Sequence, residues 1–205
     1  MKLIFGLGNP GLEYENTRHN AGFLLIDRLG TAFGAEFRLS KPLSCQYARV
    51  RQGGSDILLV KPLTYMNLSG EAFIRVLQFY KAESTDAIVA HDDVSLPLGR
   101  LRFQKGGGAG GQHGVESIIN CLGGKAFDRL KVGVGPDPGG ARRASYVLGR
   151  FSQDDKVVLD KVLEQCQDGV SAWLKQGLDY AANRFNAVDF SVAPACEKPS
   201  ASPEN

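Results

Sequence analysis

Short apolar runs alternate with segments of helical periodicity along most of this chain, and that alternation limits the fold more than any other feature. Residues 2–6, 56–62 and 87–93 are β-like apolar runs, whereas residues 20–33 and 66–81 carry apolar side chains at helical spacing. Strands that alternate with helices pair in parallel, because each helix carries the chain back across the sheet. The sequence therefore predicts an α/β fold with a twisted, mostly parallel sheet flanked by helices.

Further strand patterns extend this sheet. Gly53-Gly54 separates two strand-like runs and indicates one antiparallel hairpin. Residues 100–105 and 129–135 are also predicted to be strands. Residues 136–145 are rich in Pro and Gly, and we predict a mobile loop there.

Length and periodicity define where the domain ends. A chain of 205 residues suits a single domain. Ser152 and Asp155 form a capping-box pattern at the start of a long helix, and helical periodicity fades after Asn186. We predict one folded domain over residues 1–186 and a disordered C-terminal tail over residues 187–205, which are rich in Pro and Ser.

The glycines near the N-terminus match a dinucleotide-binding pattern, so an oxidoreductase is one alternative. Gly6, Gly8 and Gly11 spell G-x-G-x-x-G after an apolar run. However, a nucleotide-binding turn must open directly into a helix, and here Pro10 and several polar residues intervene. The acidic residue about 20 positions on would be Asp27, which lies in the middle of a predicted helix. The pattern alone therefore does not predict a nicotinamide or flavin site.

Cysteine usage and hydropathy bear on where the chain works. The four cysteines are widely scattered and form no C-x-x-C pair, so we expect reduced thiols in a cytoplasmic protein. No apolar run is long enough to span a bilayer, and the first residues lack the apolar core of a secretory leader. We expect no membrane association.

Positive charge is concentrated in one segment. Residues 99–150 contain 9 basic and 3 acidic residues, although the net charge of the whole chain is +2. Within this segment, Lys105 precedes a glycine-rich loop at residues 106–111, whose backbone N–H groups suit phosphate. Other basic residues of the segment are Arg100, Arg102, Lys125, Arg129, Lys131, Arg142 and Arg143. A polyanion such as nucleic acid is one partner for this surface; a solvated face with a flexible connector is the alternative.

Histidines offer two kinds of site. The chain has three: His19, His91 and His113. The run "HDD" at residues 91–93 contains metal-ligand residue types, but alternation along a strand sends Asp92 to the opposite face from its two neighbours. These three side chains cannot all converge on one ion, so we predict no metal site.

A His–Asp pair is the stronger hypothesis. Asp92 ends one predicted strand and Asn9 follows another, and parallel sheets place their sites at such carboxyl ends. A carboxylate beside His19 would fix the tautomer of the ring and make it a general base. No nucleophile motif such as G-x-S-x-G is present, so water would be the nucleophile. Asn9 and Asn67 suit fixing a carbonyl or a water, although helix capping is an alternative for Asn67.

Several blocks of the sequence resemble the bacterial-type peptidyl-tRNA hydrolase family. The opening block reads "GLGNPGLEYENTRHNAG", and the later blocks in order are "KPLTYMNLSG", "HDDVSLPLGRLRFQKGGGAGGQHG" and "RLKVGVGPDP". The resemblance covers residues 1–186, and the combination of motifs is highly specific.

This resemblance implies an activity and a role for each matching residue. It implies hydrolysis of the ester between peptide and tRNA by a monomer that needs no metal or organic cofactor. His19 is implied to activate water, Asp92 to keep His19 basic and oriented, and Asn9 to distinguish N-blocked peptidyl-tRNA from aminoacyl-tRNA. The implied substrate contacts are Tyr14, Tyr65 and Asn67 near the ester, and Lys105 and Lys131 on the tRNA backbone.

One position departs from the family pattern. At the position after "GGQ", family members often carry Asn, whereas this chain has His113. A titratable ring thus stands where an amide positions the substrate. The functional alternative is a non-catalytic RNA-binding relative, which would keep the fold and the basic surface without the catalytic residues.

Overall fold

The computed structural model describes residues 1–191, which form seven strands, six α-helices and four short 3-10 helices. The strands are β1 (Lys2–Gly6), β2 (Arg38–Ser40), β3 (Cys45–Gln52), β4 (Ser55–Pro62), β5 (Ala87–Pro97), β6 (Leu101–Lys105) and β7 (Asp128–Gly135). The helices are α1 (Ala21–Ala32), α2 (Ser69–Tyr80), α3 (His113–Leu122), α4 (Arg142–Val147), α5 (Gln153–Gln176) and α6 (Leu178–Phe185).

All seven strands belong to one mixed sheet, so the predicted α/β class is confirmed. The order across the sheet is β2-β3-β4-β1-β5-β7-β6. The four central strands, β4, β1, β5 and β7, run parallel to their neighbours in that group. The predicted hairpin of β3 and β4 is antiparallel, and β2 and β6 add antiparallel strands at the two edges. The carboxyl ends of β1 and β5 thus lie side by side.

Two apolar layers cover the sheet. On one face, α1, α5 and α6 bury residues such as Leu25, Val170 and Phe185. On the other face, α2 and α3 bury residues such as Phe73 and Ile118. β1 and β4 are covered on both faces, which explains the continuous apolar runs at residues 3–5 and 57–60 within them.

Glycines of the N-terminal pattern let α1 lie directly on the sheet. A Cβ on Gly22 would lie about 2.5 Å from the carbonyl oxygens of Leu7 and Ala90. A Cβ on Gly6 would meet the backbone of Gly22, and one on Gly8 would meet the ring of Phe23. These glycines therefore serve the contact between helix and strands, and that contact fixes the chain just before α1, which includes His19.

The structure differs from the sequence-based prediction in two segments. The predicted loop at 136–145 contains most of α4, a helix of six residues. The predicted tail starts at residue 187, but Asp189 pairs with Arg100, and the Phe190 N–H donates to the Gly99 carbonyl at 2.9 Å. Residues 187–191 are therefore packed against the domain, and the remainder of the predicted tail lies outside the described residues.

The outer edge of β6 is covered by the segment that follows α6. Asn186 Oδ1 accepts a hydrogen bond from the Phe103 N–H at 2.7 Å, and its Nδ2 donates to the Phe103 carbonyl at 3.0 Å. One side-chain amide thus satisfies both backbone groups of an edge residue.

Candidate active site

A cavity of about 630 Å³ opens at the carboxyl ends of β1 and β5. His19, Asp92 and Asn9 all line this cavity, as predicted from their positions in the sequence. His19 lies in a short 3-10 turn, Arg18–Asn20, that leads into α1. Asp92 lies within β5, and Asn9 follows β1. The topology therefore brings together three residues that are up to 83 positions apart in the chain.

His19 and Asp92 are in direct contact. The distance from His19 Nδ1 to Asp92 Oδ2 is 2.9 Å, and the two side chains are 12% and 3% exposed. Burial of the ring lowers the pKa of His19, but the charge of Asp92 and its hydrogen bond raise the pKa, and the net direction is upward from 6.5. Because the carboxylate accepts from Nδ1–H, the lone pair of the neutral ring lies on Nε2.

Asn9 is held on three sides by neighbouring groups. Its Oδ1 accepts from the Met66 N–H at 2.8 Å. Its own N–H donates to Asn20 Oδ1 at 2.8 Å, and its carbonyl accepts from Asn20 Nδ2 at 3.0 Å. Within residues 1–191 the Asn9 side-chain NH₂ has no hydrogen-bond partner, so this fixed donor is available to a ligand in the cavity.

Gln112 belongs to the site but was not identified from the sequence. Its Nε2 donates to Asp92 Oδ1 at 2.9 Å and approaches Met66 Sδ at 3.3 Å, while its Oε1 accepts from the Val115 N–H at 2.8 Å. The only sequence signal was its position just before α3, where a polar residue caps a helix. Contact with Asp92, 20 residues away, has no local signature.

The predicted substrate contacts divide into two groups. Tyr65, Asn67 and His113 line the cavity, and Tyr65 is 58% exposed at its rim. Asn67 makes no capping hydrogen bond to α2, so the capping alternative is wrong. Tyr14 does not line the cavity; its carbonyl accepts from Thr17 Oγ1 at 2.7 Å.

Lys105 and Lys131 point to opposite faces of the sheet. Phe103, Leu130 and Val132 point to the face of the sheet that α5 covers. Lys105 follows Phe103 by two residues and so points to the same face, whereas Lys131, between Leu130 and Val132, points to the opposite face. Lys131 Nζ also pairs with Asp93 Oδ2 at 2.9 Å. The two lysines therefore cannot share one phosphate as neighbours.

The glycine loop is tied to the sheet by a buried arginine. Arg129 is fully buried, and its guanidinium donates to the carbonyls of Gly107 and Gly108. Arg129 was counted from the sequence as part of a basic surface, which is wrong for this residue. Its charge instead fixes the loop that leads to Gln112.

His91 is a buried neutral histidine. Its Nδ1–H donates to the Asp92 carbonyl at 2.7 Å, and burial lowers the pKa of the ring to about 4, against the opposing effect of the nearby carboxylates. Asp93 turns to Lys131, while Asp92 turns to His19. Across residues 1–191, no three His, Cys, Asp or Glu side chains group in a way that could hold a metal ion.

Helix α4 forms part of the cavity wall. Ala144 and Val147 of this helix line the cavity together with Leu148. Arg18 fastens this wall next to His19: its guanidinium lies 4.5 Å from the centre of the Tyr146 ring and pairs with Asp155 at 3.1 Å. In the described part of the chain, no helix is both long and apolar enough to cross a membrane.

Comparisons with known proteins show which family the sequence resembles over most of its length. A family model described as "Peptidyl-tRNA hydrolase" matches residues 3–193. A peptidyl-tRNA hydrolase of Synechococcus sp. (strain JA-3-3Ab) is 44% identical over 199 residues, which are 97% of this chain and 88% of that protein. One from Thermus thermophilus is 43% identical over 192 residues, 94% of this chain and all of that protein.

Solved structures give the same result. The crystal structure of peptidyl-tRNA hydrolase from Acinetobacter baumannii superimposes with a TM-score of 0.88 at 32% identity, covering 92% of this chain and 96% of that one. The family match spans nearly the whole chain and includes the segments that carry His19, Asp92 and Asn9. The chain therefore belongs to the peptidyl-tRNA hydrolase family.

Proposed function

We propose that this protein hydrolyses the ester bond between peptide and tRNA in N-blocked peptidyl-tRNA, with water activated by His19 and Asp92. The observation that carries the proposal is the 2.9 Å contact between His19 Nδ1 and Asp92 Oδ2 inside the cavity. The products are a free peptide and a free tRNA that can be charged again for translation.

In this proposal each ring nitrogen of His19 has its own role. Nδ1–H stays bonded to Asp92, so Nε2 takes a proton from water as the water oxygen attacks the ester carbonyl. Asp92 stabilises the imidazolium that forms. The bond from the carbonyl carbon to the ribose oxygen then breaks, and the imidazolium returns its proton to that oxygen.

Neutral donors complete the reaction centre. The Met66 N–H donates to the Asn9 amide oxygen and so fixes the direction of the Asn9 NH₂. That NH₂ is suited to donate to a carbonyl oxygen of the peptide. An amide carbonyl is present in an N-blocked substrate and absent from free aminoacyl-tRNA, so this donor supports the selection of N-blocked substrates. Tyr65, Asn67 and His113, which line the cavity, would contact the substrate around it.

We further propose that tRNA binds through its phosphates. Lys105 and Lys131 contact the backbone, each on its own face of the sheet, and no base is read. Tyr14 does not line the cavity and would contact a part of the substrate that extends beyond the cavity. We propose action as a monomer in the cytoplasm.

The test is release of an N-acetyl-aminoacyl group from tRNA. The wild-type protein should release it, and His19→Ala should lower kcat by about 100- to 10,000-fold, the usual contribution of a general base. Affinity for uncharged tRNA should stay close to that of the wild type, because His19 contacts the ester and not the phosphates.

Two results would contradict the proposal. A wild-type protein that binds tRNA but releases nothing would favour the non-catalytic RNA-binding alternative. Release by His19→Ala at the wild-type rate would show that the chemistry lies elsewhere.

A further inference from the structure

We infer that Gln112 is a positioning residue for the His19–Asp92 pair: its amide N–H holds Asp92 in place while its amide oxygen begins α3. The inference rests on the proposed function, since it assigns a role within that same site. It concerns a residue that touches neither water nor ester in the mechanism above.

The orientation of the Gln112 amide is determined by its two partners. The Val115 backbone N–H can only donate, so the group 2.8 Å away must be Oε1. The ionised Asp92 carboxylate can only accept, so the group 2.9 Å from its Oδ1 must be the NH₂. Turning the amide over would break both hydrogen bonds.

This arrangement locks the carboxylate of Asp92. Its Oδ2 contacts His19 and its Oδ1 contacts Gln112; within residues 1–191, no other side chain hydrogen-bonds to it. Rotation of the carboxylate about its own bond would lose one or both contacts. A hydrogen bond to a charged acceptor is stronger than one between neutral groups, so Gln112 keeps Oδ2 aimed at Nδ1.

Helix capping alone does not account for these contacts. The cap uses only Oε1, and a Ser, Thr, Asp or Asn at this position would cap a helix as well. The second contact needs a side chain that is long enough to reach Asp92 and carries a donor beside its acceptor. Gln112 is 8% exposed, so both contacts lie in a protected environment.

The charged groups around the pair lie in defined places. On β5, His91 and Asp93 point to the other face of the sheet, where Lys131 of β7 pairs with Asp93. Arg143 of α4 lines the cavity and pairs with Asp137, Arg18 pairs with Asp155, and His113 is exposed at the first position of α3. Among these charged groups, only Asp92 hydrogen-bonds to the Gln112 side chain.

Gln112→Glu separates positioning from capping. The introduced carboxyl has the same length and still accepts from Val115, so α3 keeps its cap. The donor to Asp92 is replaced by a carboxyl, and two adjacent carboxyls share one proton until the pH is high enough to remove it. The shared proton restores a donor to Asp92 at low pH, and its loss leaves two repelling charges.

We expect kcat of Gln112→Glu at pH 8 to fall at least tenfold, with KM within threefold of the wild type. The pH profile of kcat should gain a descending limb that the wild type lacks. Gln112→Met, which removes the donor without adding charge, should lower kcat at every pH without that limb. Glu116→Gln, an exposed change in the first turn of the same helix, is the matched control and should retain the wild-type profile.

A second readout does not depend on activity. NMR titration of the His19 ring without tRNA should show one step in the wild type and a second step at higher pH in Gln112→Glu, because the ring resonances also respond when the proton shared by the two carboxyls is lost. If the wild type releases no peptide, the proposed function fails, but this titration still decides the place of Gln112. Wild-type kcat, an unchanged profile and an unchanged His19 titration in Gln112→Glu would overturn the inference. If that variant does not fold, a Gln112→Met kcat equal to that of the wild type would overturn it as well.

Discussion

At the scale of single residues, the site depends on a chain of contacts that starts at His19. The ring touches Asp92, Asp92 touches Gln112, and Gln112 approaches Met66, whose N–H holds Asn9. The base and the amide donor are thus connected by direct contacts between protein groups. A change at one member is expected to alter the geometry of the next.

Asp92→Asn tests the role of the carboxylate. The amide has nearly the same shape, but it can donate a hydrogen bond to Nδ1. The ring proton then moves to Nε2, which can no longer accept a proton from water. We expect kcat to fall by about 100- to 10,000-fold. The measurement is steady-state release of an N-acetyl-aminoacyl group, with thermal unfolding to show that the fold is kept.

The pH dependence of this variant should also change in a defined direction. In the wild type the pKa of His19 is raised above 6.5, so the base is protonated and inactive below that pKa and active above it. Without the charge of Asp92, only the effect of burial remains, and burial lowers the pKa. The ascending limb of residual activity should therefore move to lower pH; a shift to higher pH would contradict this assignment.

At the scale of elements, the position of His19 depends on how closely α1 approaches the sheet. Gly22 lies where the first turn of α1 crosses the ends of β1 and β5, with no room for a side chain. The turn that carries His19 immediately precedes this crossing. Close packing here therefore sets the distance between His19 and Asp92.

Gly22→Ala should push α1 away from the sheet. The added methyl group would press on backbone atoms, which cannot move aside as a flexible side chain can. We expect a loss of about 1–3 kcal/mol or more in the free energy of unfolding, as for overpacked cores, and a lower kcat. Denaturant unfolding measures the free energy of unfolding. Gly124→Ala is the control, because a Cβ at Gly124 meets nothing within 4 Å. Equal stability of the two variants would contradict this account.

Elements with strong local patterns could be predicted from the sequence, and elements held by distant contacts could not. The Ser152–Asp155 capping box is present at the start of α5, because both partners lie within one turn. Helix α4 was missed because Pro and Gly residues precede it and its anchor is Arg18, more than a hundred positions away. The pairing of His19 with Asp92 was predicted from the chemistry of the two residues and from their places at strand ends. The contact of Gln112 with Asp92 depends on how the glycine loop folds over β7, which no local pattern encodes.

At the scale of the whole molecule, much of the positive charge of residues 99–150 is already compensated. Arg100, Lys131 and Arg143 form ion pairs with Asp189, Asp93 and Asp137, and Arg129 is buried. The exposed basic residues of the segment that form no ion pair within residues 1–191 are Arg102, Lys105, Lys125, Arg142 and Arg150. These are the side chains freest to meet phosphate.

Lys105→Ala should weaken tRNA binding by a similar factor for every tRNA. The logarithmic salt dependence of the binding constant should become shallower by about one unit or less, because one phosphate contact is lost. Lys175→Ala, an exposed change on α5, is the control and should leave the slope unchanged. A Lys105→Ala protein that discriminates among tRNAs but keeps the wild-type slope would show that the lysine reads sequence.

Coverage of β6 by the segment after α6 affects how copies of this protein behave toward each other. An edge strand with free backbone groups is a template for a strand from a second molecule, and such pairing begins aggregation. The Asn186 amide occupies both groups of Phe103, and residues 189–190 occupy positions beside Arg100 and Gly99. Residues 186–190, which follow α6, thus block intermolecular β-strand pairing at this edge and disfavour aggregation at high protein concentration.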